Sequence, residues 1–368
     1  MSDLKEESFG IYIHIPYCKS KCAYCSFVSD TRFSDCKEYI NALIEEIGEG
    51  AKNRRADTVY IGGGTPSALP RGELSRIMSV IRGNFLLSDD AEISAECNPD
   101  SATSGFFGEC AKCGVNRVSI GLQSSNDELL KKIGRIHTFS QFAESVVRAR
   151  SAGINNINAD LMLGLPSQTE TDVKAALDVV LGMGIEHISV YGLSVEKGTP
   201  LFESGYEVDE DRCADFYELC ADILKENSYR RYEVSNFAKN GKVCRHNMKY
   251  WSGAPYLGFG AAAHSFYGGV RYRNTENREK YIGGERVENA VALTAEDRAE
   301  ERIMLSLRTD EGLDLIAFEK EFGCDLAQKK SAEIERLMRY GLITLHSGRI
   351  RLTEQAYYKM NCVILALL

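Results

Sequence analysis

Cys18, Cys22 and Cys25 stand close together in IPYCKSKCAYCSF (15–27), spaced C-x3-C-x2-C, and two residues further on stands Phe27 rather than another thiol. Three thiolates on one short loop suit a metal centre. A structural zinc ion closes its shell with four Cys or His ligands. His14 would have to be the fourth, and its alternation with Tyr12 along a strand argues against that. An iron–sulfur cluster of the [4Fe–4S] type ordinarily takes four cysteines. With three, one iron keeps an open position at which a substrate or cofactor can bind. Spacing alone leaves zinc and cluster level. The other nine cysteines are scattered without ligand-like order. Cys110 and Cys113 form a C-x2-C, but in a helical phrase with no loop to present them. All nine read as reduced, mostly buried small side chains, which suits a cytoplasmic protein.

A second chemical feature follows at GGGTPS, Gly62 to Ser67. Glycines let a backbone approach a ligand closely, and free N–H and C=O groups there could bond a zwitterionic amino acid. The plain alternative is a tight strand-to-helix turn. A third is HNMKYW, His246 to Trp251. It offers an imidazole that can ligate haem iron and two flat aromatic faces. A loop histidine with packing aromatics is the plain reading there.

The elements that must position these residues alternate. Strands are predicted at 11–15, 57–62, 91–97, 116–123, 157–165 and 187–193, with amphipathic helices over 35–47, 72–81, 140–152 and 170–183 between them. About six β-α units imply a parallel sheet with helices packed on it, too few for a closed eight-unit barrel. The predicted fold is α/β, a partial (β/α)6 barrel over 1–205 with its site at the strand C-terminal ends. A helix over 209–226 opens an aromatic- and glycine-rich connecting segment, 206–293. Residues 294–368 follow as a small helical, winged-helix-like domain: helices near 295–306, 314–320 and 328–340, a hairpin over 341–353 and a last helix.

The 368 residues carry a net charge of −9 without a long basic run, which disfavours nucleic-acid binding. No apolar run is long enough for a membrane span, and the polar, acidic N-terminus reads as neither signal nor transit peptide. Membrane contact is expected only transiently, at the surface, through a partner.

The cysteine spacing with Tyr24 inside it, and GGGTPS at its distance behind, resemble the radical S-adenosylmethionine (SAM) superfamily. IYIHIPYC, GGGTPS, GLQSSNDELLKKIGRIH and NADLMLGLPSQT resemble, over nearly the whole chain, the oxygen-independent coproporphyrinogen III oxidase family and its relatives. The resemblance implies that Cys18, Cys22 and Cys25 bind a [4Fe–4S] cluster flanked, with the cofactor, by Tyr12 and Tyr24. It implies that Gly63, Gly64 and Thr65 hold the methionine end of SAM, and that Glu96, Gln123, Arg135 and Asp160 hold its other polar groups. Arg135 suits the carboxylate and Glu96 or Asp160 the ammonium or ribose hydroxyls. The oxidases carry a further cysteine where this chain has Phe27, and an N-terminal extension where only 17 residues precede Cys18. With HNMKYW, these departures point to the haem-chaperone branch of the family. That implies haem held at His246, Tyr250 and Trp251, with His264 or Cys244 as competing iron ligands, and delivery to haem-accepting respiratory proteins. A homodimer is compatible with this. The alternative is the radical decarboxylation of coproporphyrinogen III to protoporphyrinogen IX.

Overall fold

The computed structural model describes residues 8–50 and 52–368; most of the acidic N-terminal stretch lies outside them. Six strands follow the sequence rhythm: β1 (Phe9–Ile15), β2 (Arg55–Gly63), β3 (Leu86–Cys97), β4 (Arg117–Gln123), β5 (Asn156–Leu163) and β6 (His187–Gly192). They are neighbours in that order and all parallel. Helices α1 (Cys36–Glu49), α2 (Glu73–Asn84), α3 (Ser104–Lys112), α4 (Asp127–Lys132), α5 (Phe139–Ser151) and α6 (Glu170–Gly182) make the crossovers. The four helices predicted from periodicity end within three residues of their observed limits. Their starts are written in side chains: Thr138 with Gln141, and Thr169 with Asp172, form capping boxes at α5 and α6.

The strands show why the sheet curls around a polar interior. Successive side chains point to opposite faces. In β5, Ile157, Ala159 and Leu161 are buried in the main hydrophobic core, while Asn158 and Asp160 alternate with them. The same alternation sets Glu92, Ser94 and Glu96 apart from Ile93 and Ala95 on β3, and Arg117 and Ser119 apart from Val118 and Ile120 on β4. The apolar row meets the helices. The polar row lines a lumen in which these side chains bond one another: Asn158 Nδ2 donates to Asp160 at 2.7 Å and to Ser119 at 2.7 Å, and Tyr60 OH donates to Glu96 at 2.8 Å.

The segment expected to connect two domains contributes strands to this same sheet. After α7 (Pro200–Glu203) and α8 (Glu210–Glu226), β7 (Arg230–Arg231) and β8 (Asn236–Ala238) extend the β6 edge antiparallel. The HNMKYW residues form part of a helix, α9 (Arg245–Ser252), rather than a loop. Then β9 (Tyr256–Phe259) joins β1 in parallel, and β10 (His264–Tyr267), β11 (Val270–Asn274) and β12 (Val287–Ala292) continue antiparallel, with α10 (Arg278–Ile282) before the last. The result is one sheet of twelve strands.

The C-terminal region has its own core around Leu307, Leu337, Ile350 and Val363. It comprises α11 (Ala295–Ser306), β13 (Leu313–Asp314), α12 (Leu315–Phe322), α13 (Leu326–Lys329), α14 (Ser331–Arg339), β14 (Ile343–His346), β15 (Arg349–Leu352) and α15 (Met360–Leu367). The helix expected over 328–340 is two helices divided at Lys330, and the hairpin gains β13 as a third strand.

Candidate metal and cofactor site

The three thiols lie on the loop from β1 to α1, at the C-terminal ends of the strands. The loop is fixed at both flanks. Cys18 N donates to Asp30 O (3.0 Å) and Asp30 N to Pro16 O (2.9 Å), while Ala23 N reaches Ile133 O (2.9 Å) beyond α4. Arg278 of α10 pins its far side through ion pairs to Asp35 (2.6 Å) and Asp30 (3.4 Å). None of the twelve cysteines is in a disulfide. Among the described residues, no group of three or more His, Cys, Asp and Glu side chains is arranged to hold a single metal ion. His14 is not a fourth ligand: its Nε2 meets Val28 O at 2.9 Å and its Nδ1 meets Tyr12 OH at 3.1 Å.

A relay of hydrogen bonds ties the thiols to the strand ends. Arg135 Nη1 donates to Asn98 Oδ1 (2.7 Å), Asn98 Nδ2 to Thr65 Oγ1 (3.0 Å), and Thr65 Oγ1 to Cys18 Sγ (3.2 Å). Arg135 Nη2 donates to Tyr24 OH (3.0 Å). Burial pushes the Cys22 thiol up, and the Arg135 guanidinium opposes it. Burial likewise raises Cys18, against the hydrogen bond from Thr65. A loaded cluster of thiolates would therefore find a buried cation and a hydroxyl donor in place. Asn98 went unnoticed in the sequence, although it follows Glu96 by two positions in AECNPD.

The predicted SAM residues divide. Arg135, Tyr24 and Gln123 meet at the end of β4. There a bulge gives Gln123 a positive φ of 68°, and Gly121 leaves room: a Cβ on it would stand 3.0 Å from Gln123 Nε2 and 3.1 Å from Arg135 Nη2. Gln123 Oε1 and Arg135 Nε are buried without a partner in the protein. Orphaned polar atoms beside an open-sided thiol set are what a polar cofactor would satisfy. Glu96 and Asp160 lie in the lumen. Burial pushes Glu96 up to about 7, opposed by its hydrogen bond from Tyr60, and raises Asp160 against donors from Asn158, Ser189 and Ser119.

The glycine run meets only half of its expectation, since its carbonyls but not its N–H groups are left for a ligand. Its N–H groups are committed: Gly63 N to Glu96 (3.1 Å), Gly64 N to Ile15 O (2.8 Å) and Thr65 N to Tyr17 O (2.8 Å). A Cβ on Gly63 would lie 2.3 Å from the His14 ring. These glycines let β2 press against β1 and the cysteine loop, and an incoming ammonium would have to be met by carbonyls.

The HNMKYW residues point three ways. His246 is 1% exposed at the opposite end of the lumen from the thiols. Its Nδ1 meets Thr58 Oγ1 (2.9 Å) and its Nε2 meets Tyr250 OH (2.9 Å). Burial, reinforced by Lys249, lowers it to about 3. With both ring nitrogens committed, it presents none to a haem iron, contrary to the expectation from sequence. Cys244 is fully buried with its thiol toward Glu92 (3.7 Å), so it is no freer. Trp251 lines a small cleft against α11 and α12, away from the thiols. Tyr250 faces a cavity of about 370 Å³ whose wall also includes Tyr12, Phe27, Tyr256 and His264.

Six parallel strands with a three-cysteine loop at their C-terminal ends, and an arginine and orphaned polar groups beside it, define a radical SAM protein. Comparison with known proteins agrees. The model of the radical SAM superfamily matches residues 12–180, and that of the HemN C-terminal domain matches 293–358. Heme chaperone HemW of Lactococcus lactis is 35% identical over 96% of this chain and 95% of its own. That of Bacillus subtilis is 36% identical over 94% and 95%, and that of Escherichia coli 33% over 86% of each. The solved structure of coproporphyrinogen III oxidase (HemN) from Escherichia coli superposes with a TM-score of 0.86 at 23% identity, covering 98% of this chain and 90% of that one; this likeness concerns the fold. The chain belongs to the HemW family of the radical SAM superfamily. Membership of the superfamily implies a [4Fe–4S] cluster and SAM. No helix among the described residues is long and apolar enough to cross a membrane.

Proposed function

We infer that this protein is a haem chaperone of the cytoplasm, which holds haem beside a [4Fe–4S] cluster and SAM and hands it to haem-accepting respiratory proteins. The observation that carries this reading is the aromatic cavity opening on the cysteine loop at Phe27. Its volume falls within the range of small-molecule clefts, and tyrosine and phenylalanine faces suit a flat porphyrin. The names of full-length relatives lend support. Cys18, Cys22 and Cys25 would hold the cluster. Arg135, Gln123 and Tyr24 would hold SAM at the β4 end, with Glu96 and Asp160 toward its ammonium or ribose. Bound SAM and cluster would supply one-electron chemistry. The chain's own part is to fix the thiols, place a buried cation beside them and keep water from the lumen.

The test is anaerobic reconstitution with iron and sulfide, followed by two assays. Haem binding, and transfer of that haem to an apo haem protein, are expected. Conversion of coproporphyrinogen III in the presence of SAM and reductant would overturn chaperoning as the sole function. A reconstituted protein that binds no haem would overturn it altogether.

A further inference from the structure

His264 stands apart from the other histidines around the lumen and cavity. His14, His187 and His246 each have both ring nitrogens hydrogen-bonded inside the protein. His264, at the start of β10, is exposed in the wall of the cavity beside the cysteine loop. No hydrogen bond engages its ring among the described residues. Its neighbours supply what a haem requires. Tyr12, Tyr250 and Tyr256 provide aromatic faces, and Phe27 stands 67% exposed at the rim. An aromatic ring left this open to water on a tightly anchored loop gains from a covering apolar surface. Arg273 lies directly opposite His264 across the β10–β11 ladder. Cross-strand partners have Cβ atoms about 5 Å apart; the Arg273 guanidinium is ion-paired with Glu276 at 2.7 Å, which also lines the cavity, so a propionate would take the guanidinium only by displacing that carboxylate. Arg273 Nε is buried without a partner in the protein. Burial and the charges of Arg273 and Arg271 lower the His264 pKa, which keeps the imidazole neutral, the form that ligates iron.

We propose that haem sits in this cavity with His264 as its axial ligand and Phe27 against the macrocycle. The haem would then lie on the cysteine loop, within reach of whatever the loop does when its cluster is loaded or lost. The proposal rests on the haem-chaperone reading and replaces His246 as the iron ligand.

Haem titration of the reconstituted full-length protein, followed by visible absorption and electron paramagnetic resonance, tests it. The wild type is expected to show a histidine-ligated ferric haem. His264→Ala should weaken binding at least about tenfold, since even partners one shell out from a metal cost that much, and should remove the histidine signature. In His264→Gly, free imidazole should restore the wild-type spectrum. Because His264 is exposed and its ring makes no hydrogen bond among the described residues, both variants should keep the wild-type circular dichroism and cluster absorption. Wild-type spectrum and affinity in His264→Ala would overturn the proposal while leaving haem chaperoning intact, as would loss of the signature in His246→Gln alone. Absence of haem binding by the wild type would overturn both.

Discussion

Both nitrogens of the His246 ring are used within the protein, and the ring is stacked against Tyr60 with centroids 5.3 Å apart. Protonating it would place a buried cation near Lys249 and Arg117, which is why its pKa falls to about 3. In the unfolded chain the same ring titrates near 6.5. As pH falls below 6.5 the unfolded chain takes up the proton first, so stability is lost from there down toward pH 3; above 6.5 this group gives no pH dependence. His246→Gln cannot titrate. Between pH 6.5 and 4.5 it is expected to lose roughly 2–3 kcal/mol less stability than the wild type, measured by urea denaturation at each pH. Equal losses in the two proteins would mean that the ring is charged when folded. Single residues were the most legible scale in the sequence where the chemistry is local, as with three thiols on one loop. They were least legible where a partner is far along the chain. His246 was singled out for its type; Tyr250, one helical turn on, takes one ring nitrogen, but Thr58, which takes the other, is a partner only because β2 and α9 meet.

At the scale of elements, α9 hangs on one carboxylate. Glu92 of β3 accepts from Arg245 N (3.1 Å) and His246 N (3.2 Å), 153 and 154 positions away. It thus serves the first N–H groups that a helix leaves unsatisfied, and favours the positive end of its dipole. Arg117, 2% exposed and with Nε and Nη1 lacking partners, feels the same carboxylate. Glu92→Gln keeps the size but gives up the charge, and the two N–H groups lose their strongest acceptor. A loss of about 1–3 kcal/mol is expected, with faster hydrogen exchange over residues 244–252; unchanged exchange there would mean that α9 is held by its side chains instead. Strands and crossover helices of the barrel could be read from their alternation and caps. The helix α9 could not, because only eight residues separate Cys244 from Gly253 and their periodicity is too short to register. The strands β9–β12 were hidden for a related reason. They are short and half-exposed, and what makes them strands is the free edge of β1 beside them.

Among the described residues, a small cluster around Leu129, Met162 and Leu193 accompanies two larger hydrophobic cores, one under the twelve-stranded sheet and one within the C-terminal helices and their three-stranded sheet. Tyr217 packs against both, and Met248 and Trp251 face Ala317 and Phe318 across a small cleft; the other joins are polar: Arg230 with Asp310, Lys225 with Glu354, Arg271 with Glu301, and the Arg231 guanidinium 3.5 Å from the Tyr357 ring centre. Exposed ion pairs contribute little each, and junctions of this kind allow units to open separately. Ile350 is fully buried in the C-terminal core, so Ile350→Ala should cost about 2–5 kcal/mol there. If the cores unfold independently, the variant should raise hydrogen exchange across residues 295–367 and leave β1–β6 protected. The absorption of a reconstituted cluster should then survive the first thermal transition. Uniformly faster exchange would instead make the molecule a single cooperative unit, and the polar junction would have to be worth more than its pairs suggest. The distinction bears on the proposed function, since His264 and the thiols of Cys18, Cys22 and Cys25 both lie on the sheet side. A C-terminal region that opens on its own would leave both in place, so that it could engage a partner without disturbing the loaded site.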